Sequence, residues 1–536
     1  MKKNKLSIPY PTDLPSWQAL NIHYQDEIKS CLINDLFTED PQRTQTFSVD
    51  SGNLFFDYSK NLLTKKTKEL LINLSHEVFL DQAIEAMFQG ENINYSEGRP
   101  ALHVALRSKL SDQIALHIPG VKDIWATLDR MDQFVNRIHS RDLLGYTGKG
   151  LTNIVNVGIG GSDLGVMMSV EALKHHAKIG INFYNVSNID GIKLSDLMDE
   201  INIEETLFVI VSKTFTTKET LNNSIKAKQW VTDTLGLDAV ASHFAAVSTN
   251  SIAMDTFGIN SDYQFPIWDW VGGRYAITSA ANLSLALLIG MKNFRNFLLG
   301  ARHMDHHFRH TEFGENIPVL LALISIWYNN FFNTETQAVI TYDERLKFFS
   351  NYLQQLQMES GGKSVRVDGR PVKVKTSPIL WGGSGSEGQH SYFQLLTQGK
   401  RLVPVDFILP INSSGAGEKD HTISIADCLS QSEIMMEGYK NKDLRLCHPG
   451  NKPSNTIIFK QLNPESLGQL ISLYEHKVFV ENVIWGTNPF DQFGVELAKT
   501  LSNALVKESS VDISYKGSNA STKSLLAKIK IIKEKL

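Results

Sequence analysis

The stretch Thr206 to Thr220, TLFVIVSKTFTTKET, decides the fold prediction. Leu207 to Val211 are apolar and mostly β-branched or aromatic, which is typical of a strand buried on both faces of a parallel sheet. A hydroxyl-rich turn follows, and a helix is predicted to start near Lys218. Thr216 and Glu219 have the spacing of a capping box, which marks a helix N-terminus. The stretch therefore predicts a βα unit.

The turn of this unit has the composition of an anion site. Backbone N–H groups at the start of a helix and the positive end of the helix dipole both favour negative charge. The side chains that join them belong to Ser212, Lys213, Thr214, Thr216 and Thr217. Phosphate is the anion that this arrangement favours. The alternative is an ordinary βα turn whose hydroxyls cap the helix, and the segment alone leaves both open.

Length and composition indicate a globular chain of several domains. Its 536 residues exceed the roughly 250–300 at which single hydrophobic cores stop growing. A hydrophobic content of 42% and a charged content of 21% are those of a soluble protein. The 53 basic and 57 acidic residues give a net charge of −4, so composition indicates no nucleic-acid or acidic-membrane partner.

Cysteine usage and the first residues predict a cytoplasmic protein. Cys31, Cys428 and Cys447 form no CxxC pair, which favours a reducing compartment without disulfides or a cysteine metal site. The prolines between Ile8 and Pro15 interrupt the place where a signal peptide needs an apolar run. No apolar run in the sequence approaches the ~20 residues of a membrane span.

The first 120 residues have mixed charged and apolar residues at helical spacing, and we predict a mostly helical region. NYSEGR, residues 94–99, interrupts it, and a helix is expected to resume over Leu102 to Arg107. Taken alone, Arg99 is more typical of a structural ion pair than of a ligand contact.

Short apolar strands alternate with helices from Thr152 onward. A strand over Asn153 to Val157 leads into the glycine-rich turn of residues 158–165. The dinucleotide pattern GxGxxG fails here because its third glycine position is Asp163, so Ser162 and the turn backbone suit a smaller ligand. Further strands are predicted over residues 181–186 and 244–247. In such a doubly wound sheet, ligands bind at the carboxyl ends of strands. The glycine turn and the hydroxyl-rich turn both lie at these ends, which favours a phosphorylated small molecule as the ligand.

Arg274 follows a glycine pair within WDWVGGRY, residues 268–275. A permanent cation next to a phosphate-binding edge can stabilise negative charge that develops during a reaction. A structural arginine between domains is the alternative interpretation.

A helical crossover, residues 276 to about 327, leads to a second α/β set with strands predicted over residues 338–341, 402–409 and 456–459. Four histidines of the crossover share one helix face: His303, His306, His307 and His310. No suitably placed carboxylate or cysteine completes a ligand set, and Asp305 points elsewhere. A solvated or interface face is therefore favoured over a metal site.

Glu359 lies in the last turn of a predicted helix whose apolar stripe includes Leu353 and Leu356 and which ends at Gly361-Gly362. The negative end of the helix dipole disfavours a carboxylate, which suits a general base. A frayed surface glutamate is the alternative.

Two further segments carry reactive side chains. The glycine-rich loop of residues 381–390 delivers His390 to a helix start, and neither this loop nor Ser162 forms the GxSxG elbow of a hydrolase. Asn488 to Lys499 predicts an Asn-capped helix with Gln492, Glu496 and Lys499 on one face. An ion pair between Glu496 and Lys499 is the simpler interpretation. Residues 516–522 suggest a linker, and residues 523–536 a basic amphipathic helix.

Seven segments in order resemble the glucose-6-phosphate isomerase family, from about residue 90 to residue 505. They are NYSEGR (94–99), VGIGGSDLG (157–165), VSKTFTT (211–217), WDWVGGRY (268–275), MESGGK (358–363), GQH (388–390) and FDQFGVELAK (490–499). Ala276 and Gly361 depart from residues common in the family, which affects local packing at most.

The resemblance implies an α/β fold of two doubly wound sugar-isomerase (SIS) domains with mainly parallel sheets and a helical N-terminal region. We expect the first SIS domain over residues 125–285 and a larger second one over residues 1–124 and 286–505. Residues 506–536 are then a linker and tail. The family further implies a homodimer with active sites at the subunit boundary.

The resemblance also implies roles for individual residues. Glu359 is expected to move a proton between C2 and C1, and Arg274 to stabilise the enediolate. His390, from the neighbouring subunit, is expected to open the sugar ring with Lys499. The groups expected to bind the sugar phosphate are Gly161, Ser162, Ser212, Lys213, Thr214, Thr217, Gln355 and Gln492.

This route is the reversible aldose–ketose isomerisation of glucose 6-phosphate and fructose 6-phosphate, a step of glycolysis and gluconeogenesis. It needs an acid/base pair, one further base and a fixed cation, and it requires no metal or redox cofactor. A non-catalytic SIS sensor of sugar phosphate would need the phosphate turn but not Glu359, His390 and Lys499 together. An isomerase of another hexose or amino-sugar phosphate is the second alternative.

Overall fold

The computed structural model describes residues 9–413, 415, 417–507 and 519–535. The chain divides into two compact units, one running to Pro489 and the other starting at Phe490. Both sheets lie in the first unit. The predicted domain boundaries near residues 124, 285 and 505 stay a prediction.

Eleven strands of the described residues form two sheets. The strands are β1 (Ser48–Asp50), β2 (Leu54–Asp57), β3 (Asn153–Val157), β4 (Asn182–Val186), β5 (Thr206–Val211), β6 (Phe244–Ser248), β7 (Gln264–Pro266), β8 (Thr336–Thr341), β9 (Ile379–Ser384), β10 (Val405–Asn412) and β11 (Ser454–Gln461). The first sheet has the order β4-β3-β5-β6-β7 and is parallel throughout. The second has the order β1-β2-β11-β10-β8-β9, in which the pairs β1–β2 and β2–β11 are antiparallel and the other pairs are parallel.

Helices connect and cover these strands. In the first 150 residues they are Pro15–His23, Ile33–Glu39, Arg43–Thr46, Lys65–Glu77, Leu80–Gln89 and Asp123–Ser140. Around the first sheet they are Leu164–Leu173, Ile192–Glu200, Lys218–Leu235, Val240–His243 and Ser251–Phe257. The crossover holds Leu283–Ile289, Met291–His310 and Ile317–Ile326. Around the second sheet they are Phe349–Gln354, Gly385–Gln389, Phe393–Thr397, Glu418–Glu437 and Pro464–Trp485. The second unit has Glu496–Lys507 and Ala520–Lys533.

The prediction of an α/β fold with mainly parallel sheets is confirmed. Every residue of β3, β5 and β6 is buried, as their continuous apolar runs predict. In the first sheet the chain begins at β3, the second strand in the order, adds β4 on one side and then adds β5, β6 and β7 on the other. The carboxyl ends of the parallel strands β3 and β5 are therefore neighbours, and the glycine turn and the hydroxyl-rich turn lie at the same edge.

The first region is built mainly of helices, as predicted, with the hairpin β1–β2 among them, and the helix expected over Leu102 to Arg107 is a short 3-10 helix, His103–Arg107. Other local predictions were wrong. The loop predicted at residue 381 continues β9, where Gly382 lets the strand approach Val339 so closely that a Cβ would lie 1.9 Å from its carbonyl oxygen. Residues 520–522 are helical instead of forming a linker, and residues 516–518 lie outside the described part.

The helix predicted to start at Asn488 begins instead at Glu496. The Asn488 amide group donates to Asn94 Oδ1 at 2.9 Å and to Ser96 Oγ at 2.6 Å. Asn488 therefore fixes the chain to the NYSEGR turn and does not cap a helix. No helix in the described ranges is long and apolar enough to cross a membrane.

Candidate active site

The turn between β5 and the helix Lys218–Leu235 is built around a buried aromatic residue. Phe215 has a φ of 57°, a left-handed conformation that is unusual for a bulky side chain. Its ring is buried and meets the Phe257 ring at 6.0 Å edge-on. Backbone strain of this kind persists where the surrounding packing enforces it and is concentrated at functional sites. Packing of Phe215 thus fixes the polar residues on either side of it.

The hydroxyl groups of the turn bond to one another and do not cap the helix. Thr214 Oγ1 and Thr216 Oγ1 are 2.6 Å apart, and Ser212 Oγ donates to Thr217 Oγ1 at 3.3 Å. The predicted capping box of Thr216 and Glu219 is wrong, because Thr217 is the N-cap residue and its side chain makes no cap bond. The first N–H groups of this helix therefore lack a side-chain cap acceptor, and such groups bind anions.

Lys213 connects this turn to the WDWVGGRY segment. Its Nζ donates to the carbonyl oxygens of Asp269 and Val271, both at 2.9 Å. Burial, together with the nearby charge of Arg99, lowers the pKa of Lys213 to about 8. Arg99 itself pairs with Glu97 at 2.6 Å, as the structural interpretation predicted. A cationic turn is thus bonded to the segment that carries Arg274.

The glycine turn after β3 packs against the same segment. A Cβ on Gly161 would lie 2.2 Å from the carbonyl carbon of Gly273 and 2.7 Å from the Arg274 nitrogen, so only glycine allows this approach. Asp163, which breaks the dinucleotide pattern, accepts a hydrogen bond from Asn185 Nδ2 at 2.5 Å. Burial raises the pKa of Asp163, against the effect of that bond. Ser162 lies half-buried at the end of the turn.

Arg274 is a buried cation with several acceptors. Its Nε donates to Ser360 Oγ at 2.6 Å, its NH1 lies 3.2 Å from Glu359 Oε2, and its NH2 donates to the Pro489 carbonyl oxygen. The Arg274 side chain is 1% exposed and that of Glu359 is 24% exposed. The predicted cation and the predicted base, 85 residues apart in sequence, therefore lie side by side.

Glu359 lies on a π-helical turn, Gln355–Glu359, that continues the helix Phe349–Gln354. Such turns occur often at functional sites, and the sequence pattern did not predict this one. Gln355 Nε2 donates to Glu359 Oε2 at 3.1 Å. Gln355 Oε1 is buried and accepts no hydrogen bond from the described residues. A Cβ on Gly160 would lie 3.3 Å from Gln355 Nε2, which places the glycine turn beside this amide.

The structure does not bring His390 to Glu359. His390 is exposed at the end of the helix Gly385–Gln389. Among the described residues, no hydrogen bond or ion pair of Glu359 or Arg274 involves it.

The two remaining predicted residues belong to the second unit. Gln492 is the cap residue of a 3-10 helix, Phe493–Val495, so it does not share a helix face with Lys499 as predicted. Lys499 Nζ lies 3.1 Å from Glu496 Oε1, and both side chains are exposed. The ion-pair interpretation of Lys499 is confirmed, and the contacts of Gln492 and Lys499 with the sugar stay predictions.

Two histidines of the crossover helix contact neighbouring helices. The described part of the chain has no group of three His, Cys, Asp or Glu residues placed to hold an ion. His303 Nδ1 lies 3.0 Å from Glu465, and the Ile317 N–H donates to His307 Nε2 at 3.0 Å. These histidines therefore connect helices.

Sequence reasoning missed the residues that hold Arg274 and Glu359 in place. Ser360 and Tyr275 follow the two reactive residues directly in the chain and are buried behind them. A second buried cluster of Arg107, Asp305, Glu475 and His476 was missed as well. The MESGGK and WDWVGGRY segments contained Ser360 and Tyr275, but spacing does not indicate a contact across 85 residues.

Comparisons with known proteins agree on one family. The family model described as phosphoglucose isomerase matches residues 57–526. The glucose-6-phosphate isomerase of Pseudomonas syringae pv. syringae is 44% identical, with 96% of this chain and 97% of that protein covered. The Frankia casuarinae glucose-6-phosphate isomerase is 45% identical, with 97% of each covered. A crystal structure of a glucose-6-phosphate isomerase from Chlamydia trachomatis superposes with a TM-score of 0.86 at 30% identity, covering 98% of this chain and all of that one.

Proposed function

The chain belongs to the phosphoglucose isomerase family, and we propose that it interconverts glucose 6-phosphate and fructose 6-phosphate through a cis-enediol(ate), with Glu359 as the base. The assignment of these residues to catalytic roles rests on one observation. The partly exposed carboxylate of Glu359 lies 3.2 Å from the permanent cation Arg274. Proton transfer next to a carbonyl needs these two groups together.

The two oxygens of Glu359 have different surroundings. Arg274 and Gln355 both bond to Oε2, at 3.2 and 3.1 Å. Oε1 is thus the oxygen that neither of these bonds uses, and it takes the proton from C2 of the open-chain aldose. The same oxygen returns the proton to C1 on the same face. Negative charge that develops on the substrate oxygens is stabilised by the Arg274 guanidinium.

The first sheet supplies the phosphate site in this proposal. Ser212, Lys213, Thr214 and Thr217 bind the phosphate together with the glycine turn at Gly161 and Ser162. The uncapped start of the helix Lys218–Leu235 supports this role. Gln355 Oε1 is buried and accepts no hydrogen bond from the described residues. In this proposal it accepts one from a sugar hydroxyl.

Ring opening needs a second acid/base group, and we assign it to His390 of a second copy of the chain, assisted by Lys499 and with Gln492 lining the sugar. His390 is exposed, and within the described part of its own chain it makes no hydrogen bond or ion pair with Glu359, which supports its supply by a partner subunit. The enzyme is therefore proposed to act as a homodimer in the cytoplasm, in glycolysis and gluconeogenesis.

The test is the conversion of fructose 6-phosphate to glucose 6-phosphate in a coupled assay with EDTA present. Glu359→Gln is expected to lower kcat by about 10²–10⁴-fold or more, since it removes the general base. Glu344→Gln, at an exposed glutamate that pairs with Lys347, is the matched control and keeps full activity. Calorimetry with fructose 6-phosphate checks that the Glu359→Gln variant still binds substrate. A wild type that binds this sugar phosphate without turnover would contradict the proposal and leave the non-catalytic sensor.

A further inference from the structure

Two pairs of consecutive residues face each other behind the reactive groups. Arg274 and Tyr275 come from the 3-10 helix Gly273–Thr278, and Glu359 and Ser360 end the π-helical turn. Arg274 contacts both members of the opposite pair, at 3.2 Å to Glu359 and 2.6 Å to Ser360. Tyr275 contacts Ser360 at 3.0 Å. The Ser360 hydroxyl therefore lies between the arginine and the tyrosine.

The roles in this set follow from the chemistry of each group. Arginine N–H groups only donate, so Ser360 Oγ is the acceptor for Arg274 Nε. Burial raises the pKa of Tyr275 to about 12, so its phenol stays neutral and able to donate over the working pH range. Ser360 is 0% exposed and Tyr275 1% exposed, so water does not replace either contact. The hydroxyl has a fixed place and two fixed neighbours.

These contacts determine the direction of the guanidinium. The group is planar, and its three nitrogens leave the central carbon in fixed directions. With Nε on Ser360 and NH2 on the Pro489 carbonyl, NH1 points to Glu359 Oε2. Loss of the contact between Nε and Ser360 lets the guanidinium plane of Arg274 rotate, which moves NH1 away from the Glu359 carboxylate.

We propose that Ser360 is a positioning residue that aims Arg274 at the enediolate, with Tyr275 holding the Ser360 hydroxyl in place. The inference rests on the proposed isomerase function. Ser360 does not touch substrate in this account; it acts through Arg274. Its contribution is therefore larger in the transition state, where charge develops, than in the substrate complex.

The direct test is Ser360→Ala in the full chain. We expect kcat to fall by about 100-fold, because a 1 Å misplacement of a positioned group can cost this much, while KM stays within about threefold. Ser350→Ala is the matched control: this serine is also buried on the preceding helix, and its Oγ has no hydrogen-bond partner among the described residues. The control is expected to keep the wild-type kcat. A Ser360→Ala kcat within about twofold of wild type would overturn the inference.

A binding measurement separates positioning from general damage. A five-carbon sugar-phosphate hydroxamate, whose anion imitates the enediolate, is expected to lose affinity in Ser360→Ala as much as kcat falls. Fructose 6-phosphate binding, measured by calorimetry, is expected to stay near wild type. Equal losses for both ligands would show a distorted site and overturn the inference.

Tyr275→Phe provides a second variant if Ser360→Ala does not fold. It keeps the ring and removes the hydroxyl, and we expect a smaller fall in kcat while fructose 6-phosphate binding stays near wild type. Where Ser360→Ala does fold, the two falls in kcat are expected not to add in the double variant. Additive effects would contradict a shared action through Arg274. A wild type without turnover would refute the proposed function itself, whereas an active wild type with an unaffected Ser360→Ala refutes only this inference.

Discussion

Arg107 and Arg274 are both buried arginines that pair with carboxylates, but their partners lie in different surroundings. Arg107 binds both oxygens of Asp305, at 2.7 and 2.6 Å, and Glu475 at 2.5 Å, and none of these side chains is more than 5% exposed. Arg274 lies 3.2 Å from Glu359, whose side chain is 24% exposed. A carboxylate that is held bidentately in the core stabilises structure, whereas one held loosely beside solvent can exchange a proton with a ligand.

In the cluster around Arg107, the pKa values of two buried carboxylates are shifted in opposite directions. Burial opposes ionisation of Asp305, but the charge of Arg107 and the bonds from His476 and Arg107 hold the pKa of Asp305 below its usual range. Burial raises the pKa of Glu475 to about 7, against the attraction of Arg107. One arginine thus keeps one of its two carboxylates fully ionised, and the set contributes to the fold.

The largest expected effect is on stability and comes from Arg107→Met. This change leaves Asp305 and Glu475 buried without their cation, and breaking a buried pair costs about 3–5 kcal/mol of the free energy of unfolding. Urea unfolding followed by tryptophan fluorescence measures it. Arg295→Met is the matched control, because Arg295 is 44% exposed and pairs with surface aspartates; its cost is expected to stay below about 1 kcal/mol. Equal effects of the two changes would contradict the structural role of Arg107.

Arg274→Lys is expected to act on the reaction more than on stability. Lysine keeps the charge but not the planar fork, and removing a group that stabilises developing negative charge lowers kcat by about 10²–10³-fold. The coupled assay gives kcat, and urea unfolding of the same sample gives stability. The catalytic role of Arg274 would be contradicted if Arg274→Lys destabilised the protein as much as Arg107→Met does while its folded fraction kept normal turnover.

The smallest expected effect is on the pH dependence of stability, through Glu475. Its folded-state pKa of about 7 lies above the unfolded value of 4.5, so between these values the folded chain holds a proton that the unfolded chain has lost. Stability from this group is present below pH 4.5 and is lost as pH rises through about 7. Glu475→Gln is expected to reduce this loss by on the order of 1–3 kcal/mol, seen in urea unfolding midpoints at pH 5 and pH 8. An unchanged pH slope in Glu475→Gln would contradict the raised pKa.

Local patterns predicted the parts of the fold that local forces determine. The strands β3, β5 and β6 and the glycine and hydroxyl turns follow from apolar runs and from residues with special backbone preferences. Arg274 and Glu359 were predicted as site residues by resemblance, and the structure places them together.

The wrong predictions have a common cause in contacts between distant segments. Thr216 bonds to Thr214 instead of capping the helix, and Asn488 bonds to the turn at Asn94 instead of starting one. The contact of Tyr275 with Ser360 spans 85 residues and has no spacing signal. Helical periodicity also does not distinguish the π-helical turn at Glu359 from an ordinary last turn, because both place the same residues near the helix end.

The central claim is that Glu359 transfers a proton beside Arg274, and isotope exchange tests it most directly. Wild-type enzyme converting fructose 6-phosphate in D₂O is expected to give glucose 6-phosphate with deuterium at C2, because the proton held on the carboxylate exchanges with solvent. Glu359→Gln is expected to lower turnover and incorporation together, by about 10²–10⁴-fold or more. Full wild-type turnover without deuterium at C2, even after repeated equilibration, would indicate direct hydride transfer and contradict the account.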